Sequence, residues 1–416
     1  MSSESPSAAR GGHPASPSYL DTPVLILMSI ACGLCAGGNY FNQPLLHSIA
    51  VGLRVSEAAA ASTVTLAQVA YACGLLLLVP LGDMLERRRL AVTLMVLAAI
   101  GQFISGFAVN ISMLLAGIAM AGLFSVAAQV LVPMAAALSD PRRSGRAVGL
   151  VMSGLLTGIL LARSVAGLLS GLGGWNTVYL VSGMVMLIVA AALWRTLPHS
   201  RNPQTTSYSQ ILGSMLVLLR QQPRLRSRSL LGALSFASAS ALFSTMALLL
   251  AGPPFHMGDV GIGLIGLVGV AGALMATVAG RLADKGWGRT ITTTSAGLLV
   301  LSWGMLWLGK DSLPWFLIGM LVIDLALQGV HINNQAVVYS LVPQARSRLN
   351  AVYMTSYFVG AASGSALGAL AWNVGGWPAT CGLGVLLAVL TGLALWHDMS
   401  LSTVSQGQSR QTPPGR

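Results

Sequence analysis

The chain alternates long apolar stretches with mostly short polar gaps. A helix that crosses a membrane needs about 20 mainly apolar residues, because each residue advances it by about 1.5 Å through a hydrocarbon layer about 30 Å thick. Twelve stretches meet this requirement and predict an all-α membrane protein with twelve transmembrane helices. They comprise residues 23–46, 58–81, 90–108, 112–138, 147–170, 176–197, 229–252, 261–283, 290–308, 314–341, 349–371 and 378–396.

The composition indicates that lipid surrounds most of the chain. Of 416 residues, 54% are hydrophobic and only 8% are charged, whereas a soluble domain carries about 25% charged residues. The net charge of +12 would suggest nucleic-acid binding in a soluble protein. Here the charges lie between apolar stretches, so we expect a lipid bilayer and no nucleic acid as partner.

The basic residues fall in alternate gaps, which sets the orientation. Cytoplasmic loops of membrane proteins are enriched in Lys and Arg. With the N-terminus inside, nearly all of the 23 basic residues are cytoplasmic, and the outer loops hold only Arg54 and Lys310. We therefore expect a multi-pass protein of the bacterial plasma (inner) membrane with both termini in the cytoplasm.

The gaps divide the chain into five segments. In the longest gap, residues 208–219 mix apolar and polar positions, which favours a helix lying on anionic lipid headgroups. We expect this segment to act as a plain tether, and a specific regulatory role is the alternative. The predicted segments are a disordered cytoplasmic tail (1–22), a six-helix bundle (23–197), a basic cytoplasmic linker (198–228), a second six-helix bundle (229–396) and a cytoplasmic C-terminal tail (397–416).

The two halves of the sequence resemble each other at an offset of about 202 residues. The tripeptide Gly-Gly-Trp at 173–175 recurs at 375–377, and the acidic loop around Asp83 recurs around Asp284. Six spans in each half, with both N-termini on the same side, predict parallel repeats related by a pseudo-twofold axis along the membrane normal. Two such bundles can rock about a site between them, which is the basis of alternating access.

The two acidic loops resemble the signature loop of the major facilitator superfamily, which joins the second and third helices of each half. The first copy has Glu86 where a glycine is usual. The resemblance implies a transporter in which these loops change partners between two conformations. Charges that only set the topology are the alternative. The candidate switch residues are Asp83, Arg87, Arg88, Gly280, Asp284 and Lys285.

The fifth span resembles the glycine-proline motif of the twelve-span drug/proton antiporters, with Ala-Arg in place of Gly-Pro. Without that proline we expect a straighter helix. The fourth span has Ile118 near the place where many antiporters carry an arginine. The matching positions in the fifth span are Gly149, Gly158, Arg163 and Gly167.

Ionisable residues within a span are expensive, so they are candidates for function. Asp324 lies near the predicted midplane of the tenth span, and Gln328, His331 and Gln335 follow on the same helical face. We expect Asp324 to take up and release the coupled proton and His331 to pass it on. Polar contacts between helices are the alternative for both residues.

Further polar residues could line a substrate cavity. Arg163 could attract an anion, act as counter-charge to Asp324, or extend to the membrane surface. Gln129 is the counterpart of His331 at the 202-residue offset and is expected to face the same cavity. Hydrogen bonding between helices is the alternative role of the polar cluster in the first span. That cluster comprises Asn39, Tyr40, Asn42 and Gln43.

The sequence has no phosphate-binding glycine loop, zinc-ligand spacing or nucleotide fold, so we expect no enzyme, metal or cofactor. We expect a monomer that binds a small-molecule substrate and protons. The leading hypothesis is a proton-coupled efflux antiporter for small amphipathic compounds. The alternatives are a facilitator, symporter or exporter for a metabolite such as a sugar or organic anion, and a receptor or scaffold that transports nothing.

Overall fold

The computed structural model describes residues 20–140, 144–200, 207–269, 283–342 and 345–411. Ten helices in these ranges are long and apolar enough to cross a membrane, so the chain is an all-α multi-pass membrane protein. The elements are α1 (Thr22–Leu53), α2 (Glu57–Asp83), α3 (Arg87–Gly106), α4 (Ile111–Leu138), α5 (Ser144–Gly173), α6 (Trp175–Thr196), α7 (Tyr208–Gln221), α8 (Pro223–Ala251), α9 (Asp259–Ile265), α10 (Lys285–Leu308), α11 (Leu313–Leu341) and α12 (Arg346–Gln411).

The last element is two consecutive helices. Its membrane-type part, Arg346–Ser400, has 55 residues and would be about 80 Å long as one helix, far more than a bilayer needs. The backbone leaves helical geometry at Gly375 and at Gly376, where φ is 61°. This break falls in the predicted loop between spans 349–371 and 378–396. Most of the predicted span 261–283 lies outside the described residues.

Polar side chains in the short loops begin several helices. The Ser56 hydroxyl accepts a hydrogen bond from the backbone N–H of Ala59 (3.2 Å) at the start of α2. The Asn110 side chain accepts one from the N–H of Met113 (2.9 Å) at the start of α4. Each such cap satisfies a backbone donor that the helix itself leaves free. Short loops can therefore end one span and start the next.

Small residues bring helices into backbone contact at two corresponding places. In the first half (α1–α6), a Cβ atom added to Gly158 of α5 would collide with the backbone of Gly33 in α1. In the second half (α8–α12), one added to Gly364 of α12 would collide with the backbone of Ala237 in α8. Such close approach gives membrane helices their packing energy, since lipid offers no hydrophobic driving force between them.

The two halves meet where α2 runs antiparallel to α12. We call the side that carries Arg87 and Arg346 the basic side, and the opposite side the far side. From the far side to the membrane centre, paired residue numbers keep a nearly constant sum, so the two helices hold one register. The pairs are Glu57–Trp372 (N–O 3.3 Å), Thr65–Ser365 (O–O 2.9 Å) and Tyr71–Phe358 (ring centroids 4.5 Å).

The connection between the halves is largely helical. α7 coincides with the helix predicted at residues 208–219. Its Ile211 and Met215 are buried, whereas Leu216 and Val217 are exposed. α8 then begins at Pro223, so the predicted linker boundary at residue 228 falls inside a helix.

A buried charge cluster explains that difference. Arg228 is only 6% exposed and Asp398 1%, whereas the sequence predicts a linker for the first and a tail for the second. Their charged groups lie 2.6 Å apart, and Arg228 also donates to the Asn334 side chain (3.0 Å). A buried arginine requires such partners. The helices α8, α11 and α12 are thereby joined near the basic side.

Candidate transport site

On the basic side the halves separate around a cavity of about 540 Å³, which we call the basic-side cavity. Leu75 and Val79 of α2 and Met354 and Asn350 of α12, the next positions in the same register, line this cavity. The main polar lining residues are Asp83, Arg87, Gln129, Tyr339, Arg346 and Arg348.

Aromatic rings from both halves form a layer at the inner end of this cavity. Gln129 lines this cavity and donates from Nε2 to the Tyr71 hydroxyl (3.4 Å). Neighbouring ring centroids in the layer lie 4.1 to 6.0 Å apart. The layer comprises Tyr71, Phe236, His331, Tyr353, Tyr357 and Phe358.

His331 is held within this layer. Its Nδ1 atom lies 3.1 Å from the Tyr353 hydroxyl, and its ring is 4.5 Å from that of Tyr357. Asp324 is seven residues earlier on α11, about 10 Å farther toward the far side. No hydrogen bond between described residues connects the two. This geometry favours the interhelical contact over the predicted proton relay.

Beyond the aromatic layer lies Arg163, which is 4% exposed. Its Nε donates to the Gln43 side chain (2.6 Å), and its guanidinium lies 4.0 Å from the Phe243 ring centroid and 5.4 Å from that of Tyr40. Within the described part of the chain, its two terminal nitrogens have no partner. α5 is one continuous helix across this position.

Asp324, on α11, lies near Arg163. Its Oδ2 atom is buried and has no hydrogen-bond partner among the described residues. Glycines after α9 lie between the two charged groups, since a Cβ at Gly266 would meet Arg163 and one at Gly269 would meet Asp324. The two side chains form no ion pair but are close enough to interact electrostatically. Arg163 and Asp324 form what we call the charged pair.

The polar cluster of the first span divides between two environments. Tyr40 and Gln43 contact Arg163. Asn39 and Asn42 instead line a space of about 10 Å³ inside the first half, and Asn42 donates to Thr63 (3.2 Å). That space is too small for a substrate, so the placement of Asn39 and Asn42 fits the alternative role of joining helices.

The remaining residues of the predicted α11 stripe make few polar contacts. Gln328 has no hydrogen-bond partner among the described residues, and Gln335 Nε2 lies 3.8 Å from the sulfur of Met354. Asn333 and Asn334, which the sequence did not single out, are buried and form hydrogen bonds to neighbouring helices. Apolar and polar residues alternate irregularly around them, so the sequence pattern does not mark these two asparagines as contacts between helices.

The first switch loop lies at the cavity mouth. Arg87 Nη2 is 3.8 Å from Asp83, a weak contact within one loop. Arg88 is occupied elsewhere: it donates to the carbonyl of Leu197 (3.0 Å) and covers the Trp194 ring at 4.5 Å.

Glu86 ties this loop to the start of the linker. Its carboxylate accepts hydrogen bonds from the N–H groups of Arg88, Arg89 and Ser200, and the N–H of Arg87 donates to the Ser200 carbonyl. Burial alone would raise the pKa of Glu86, but the backbone donors of Ser200, Arg89 and Arg88 outweigh it. The pKa of this carboxyl therefore lies below its usual range.

The second switch loop is described only in part. Gly280 lies outside the described residues, and the backbone at Asp284 belongs to a short π-helical turn. Lys285 is exposed.

The glycines of the antiporter-like motif have different surroundings. Gly158 packs on α1, whereas Gly167 packs on the backbone of Asp259 and Gly263 across the interface between the halves. Gly149 has open space beside it. Two of these motif glycines therefore permit close packing, and Gly149 does not.

Asp259 is an interface residue that sequence reasoning missed. Its Oδ1 accepts a hydrogen bond from Ser48 (2.7 Å) and its Oδ2 one from Ser170 (2.5 Å). It thus joins α9 of the second half to α1 and α5 of the first half on the far side. Because it lies in a predicted loop, nothing in its local sequence distinguishes it from a solvated acid.

These helices enclose a cavity on one side of the membrane and close the same interface on the other, which defines a solute transporter. In the described residues, no group of three or more His, Cys, Asp or Glu side chains could hold a metal ion. Residues 28–344 match the sequence profile of the Major Facilitator Superfamily. The chain belongs to this family and is a transporter, not an enzyme.

The chain is similar to several known transporters. It is 50% identical over 378 residues to the uncharacterized transporter YgaY of Escherichia coli O157:H7, covering 91% of this chain and 96% of that protein. It is 29% identical over 358 residues to the probable transporter SCO4007 of Streptomyces coelicolor, covering 86% and 83%. The crystal structure of a point mutant of the nucleoside transporter NupG matches with a TM-score of 0.72 at 14% identity, covering 90% and 99%, which shows the shared fold.

Proposed function

We propose that this transporter works by alternating access and exports small amphipathic compounds in exchange for protons. We infer twelve transmembrane helices in two six-helix bundles. The ten described spans, the break in α12 and the predicted span after α9 support this count. The matching glycine contacts of α1 with α5 and of α8 with α12 support the repeat.

We further infer a monomer in the bacterial inner membrane with both termini in the cytoplasm, so that the basic side is cytoplasmic. The conformation is then inward-facing, because the cavity opens on the basic side while the halves touch on the far side. Asp83 and Arg87 at the cavity mouth are the proposed switch pair. Their 3.8 Å separation leaves either charge free to bind the other half when the mouth closes.

The observation that carries proton coupling is the buried Oδ2 atom of Asp324, which has no hydrogen-bond partner among the described residues and lies near the fixed charge of Arg163. A buried carboxylate without a hydrogen-bond partner is costly, and taking up a proton removes that cost. Arg163 favours the charged form. Asp324 can therefore exist in either state, as a coupling group requires.

The test is Asp324→Asn in everted vesicles. The amide keeps the shape but cannot titrate, so accumulation driven by a proton gradient should be lost while substrate counterflow, which needs no net proton movement, persists. Asp311→Asn is the matched control, since Asp311 is an exposed acid (71%) just before the same helix. Uphill transport by Asp324→Asn with normal pH dependence would refute the coupling role.

A facilitator for a metabolite such as a sugar or organic anion is the second candidate. It is favoured by the hydrogen-bonding groups in the cavity wall, where Gln129 bonds Tyr71 and the Tyr339 hydroxyl donates to Asn350 (2.9 Å). This candidate predicts that the Asp324→Asn variant transports the substrate down its gradient at the wild-type rate. It also predicts that neither the variant nor the wild-type protein accumulates the substrate against a gradient.

A further inference from the structure

The charged groups in the wall of the basic-side cavity are mostly of one sign. The wall contains Arg87, Arg346 and Arg348, and Asp83 is the only acid in the described lining. Asp83 lies near Arg87. Among the described residues, Arg346 donates only to the carbonyl of Tyr339 (3.2 Å), and Arg348 has no hydrogen bond or ion pair. The wall therefore carries excess positive charge.

Membrane orientation alone does not account for this placement. The positive-inside rule needs basic residues near the ends of spans, and it does not require them to face a recess. Arg220 and Arg226 meet that need on the same side of the membrane while exposed outside the cavity. Charges on the wall of a recess act differently, because low-dielectric surroundings concentrate their field inside it.

The rest of the lining is apolar. Leu75, Val79, Val130, Met215 and Met354 form a continuous part of the wall, and methionine adapts well to ligands of varied shape. A bound molecule would therefore meet a hydrophobic surface beside guanidinium groups that form no ion pair with the other half among the described residues. Arginine binds carboxylate, sulfonate or phosphate oxygens through paired N–H donors.

We propose that the basic-side cavity binds organic anions, with Arg346 and Arg348 selecting the negative group and the apolar wall holding the hydrophobic body. This inference rests on the proposed function only in taking the cavity as the place where substrate enters. It narrows the amphipathic compounds proposed above to anionic ones.

The test is equilibrium binding to the purified full-length protein in nanodiscs, where both sides are accessible and no transport is needed. The probes are three dyes of different charge: fluorescein (anionic), Nile red (neutral) and rhodamine 6G (cationic). Fluorescein should bind roughly tenfold or more tightly than rhodamine 6G. Raising the salt concentration should weaken the binding of fluorescein but not that of the other two dyes. Equal binding, or tighter binding of rhodamine 6G, would overturn the inference.

The variant pair sharpens the result. Arg346→Gln with Arg348→Gln should weaken fluorescein binding by roughly fivefold or more and leave Nile red unchanged. Arg220→Gln with Arg226→Gln removes the same charge outside the cavity and should change the binding of neither dye. Equal losses in both double variants would contradict a site at the cavity. A protein that binds fluorescein selectively but moves nothing in a proton gradient would refute the proposed antiport while supporting the anion site.

Discussion

The same two helices, α2 and α12, build a closed interface on the far side and an open cavity on the basic side. On the far side the side chains that meet are short, as at Thr65 and Ser365, and single acids accept hydrogen bonds from neutral donors. On the basic side the facing groups are long arginines with few partners. The closed side is therefore held by direct bonds, whereas the open side has charged groups that can form new contacts.

The difference bears on the proposed alternation between a closed and an open far side. A neutral hydrogen bond contributes about 0.5–1.5 kcal/mol net, and one to a charged group about 1.5–3 kcal/mol. The few polar contacts across the far side, centred on Asp259 and Glu57, are thus worth several kcal/mol. An equilibrium of that size can be shifted by a ligand or an ion gradient.

The largest expected effect comes from fixing the closed side. Thr65→Cys with Ser365→Cys, in a chain whose four native cysteines are replaced, should oxidise readily because the native side-chain oxygens are 2.9 Å apart. The disulfide should abolish transport, and a reductant should restore it, as measured by uptake into everted vesicles.

A second cysteine pair tests the open side in the same register. Leu75→Cys with Met354→Cys places the thiols on opposite walls of the basic-side cavity, so this pair should resist oxidation and leave transport active. Faster oxidation of the Leu75 and Met354 pair than of the first pair would reverse the comparison between the two sides.

A smaller effect is expected from weakening the far side. Asp259→Asn replaces a carboxylate that accepts from both Ser48 and Ser170, which should raise the outward-open population by roughly tenfold. The readout is alkylation of Ser365→Cys, a fully buried position, by an impermeant maleimide added outside. Asp311→Asn, with its exposed carboxylate, should leave the rate unchanged; an equal increase would show a general charge effect.

The smallest effect concerns the loop that borders the cavity. Because the folded-state pKa of Glu86 is lowered, its charge stabilises the fold above the ordinary glutamate pKa, and that contribution disappears as the pH falls through the folded value. Glu86→Gln should therefore lower the unfolding temperature by roughly 1–2 °C at neutral pH and by nothing in acid. Thermal unfolding in detergent at several pH values measures it, and a difference that persists in acid would point to packing instead.

Hydrophobic length predicted most described spans to within a few residues, as with 314–341 for α11, but α1 ends seven residues after its predicted end and α8 begins six residues before its predicted start. The direction in which each side chain of a span points was harder to predict. Successive side chains of an α-helix are rotated by about 100°, but α1 contains two 3₁₀ turns, Gly38–Tyr40 and Gln43–Leu45. A 3₁₀ turn has three residues, so residues three apart share a face. Tyr40 and Gln43 therefore point to Arg163, and Asn39 and Asn42 point away from it.

Long-range partners could not be predicted from sequence. Arg228 and Asp398 are 170 positions apart, and each looked like a solvated charge in a polar segment. Asp259 likewise depends on serines from two other helices. A hydrophobic pattern reports which residues avoid water, but it contains no information on which buried charges meet, because that depends on how the helices are arranged.

The constant register of α2 and α12 places a contact near the membrane centre, with one arm of each helix on either side of it. From Tyr71 to Glu57 the closed arm measures about 21 Å, and from Tyr71 to Asp83, where α2 ends, the open arm measures about 18 Å, at 1.5 Å per residue. If the halves rock about the Tyr71–Phe358 contact, closing the basic side must open the far side, and the two ends move by similar distances. Both sides cannot then be open at once, so a continuous leak of solute or protons is prevented by the shape of two helices and needs no separate gate.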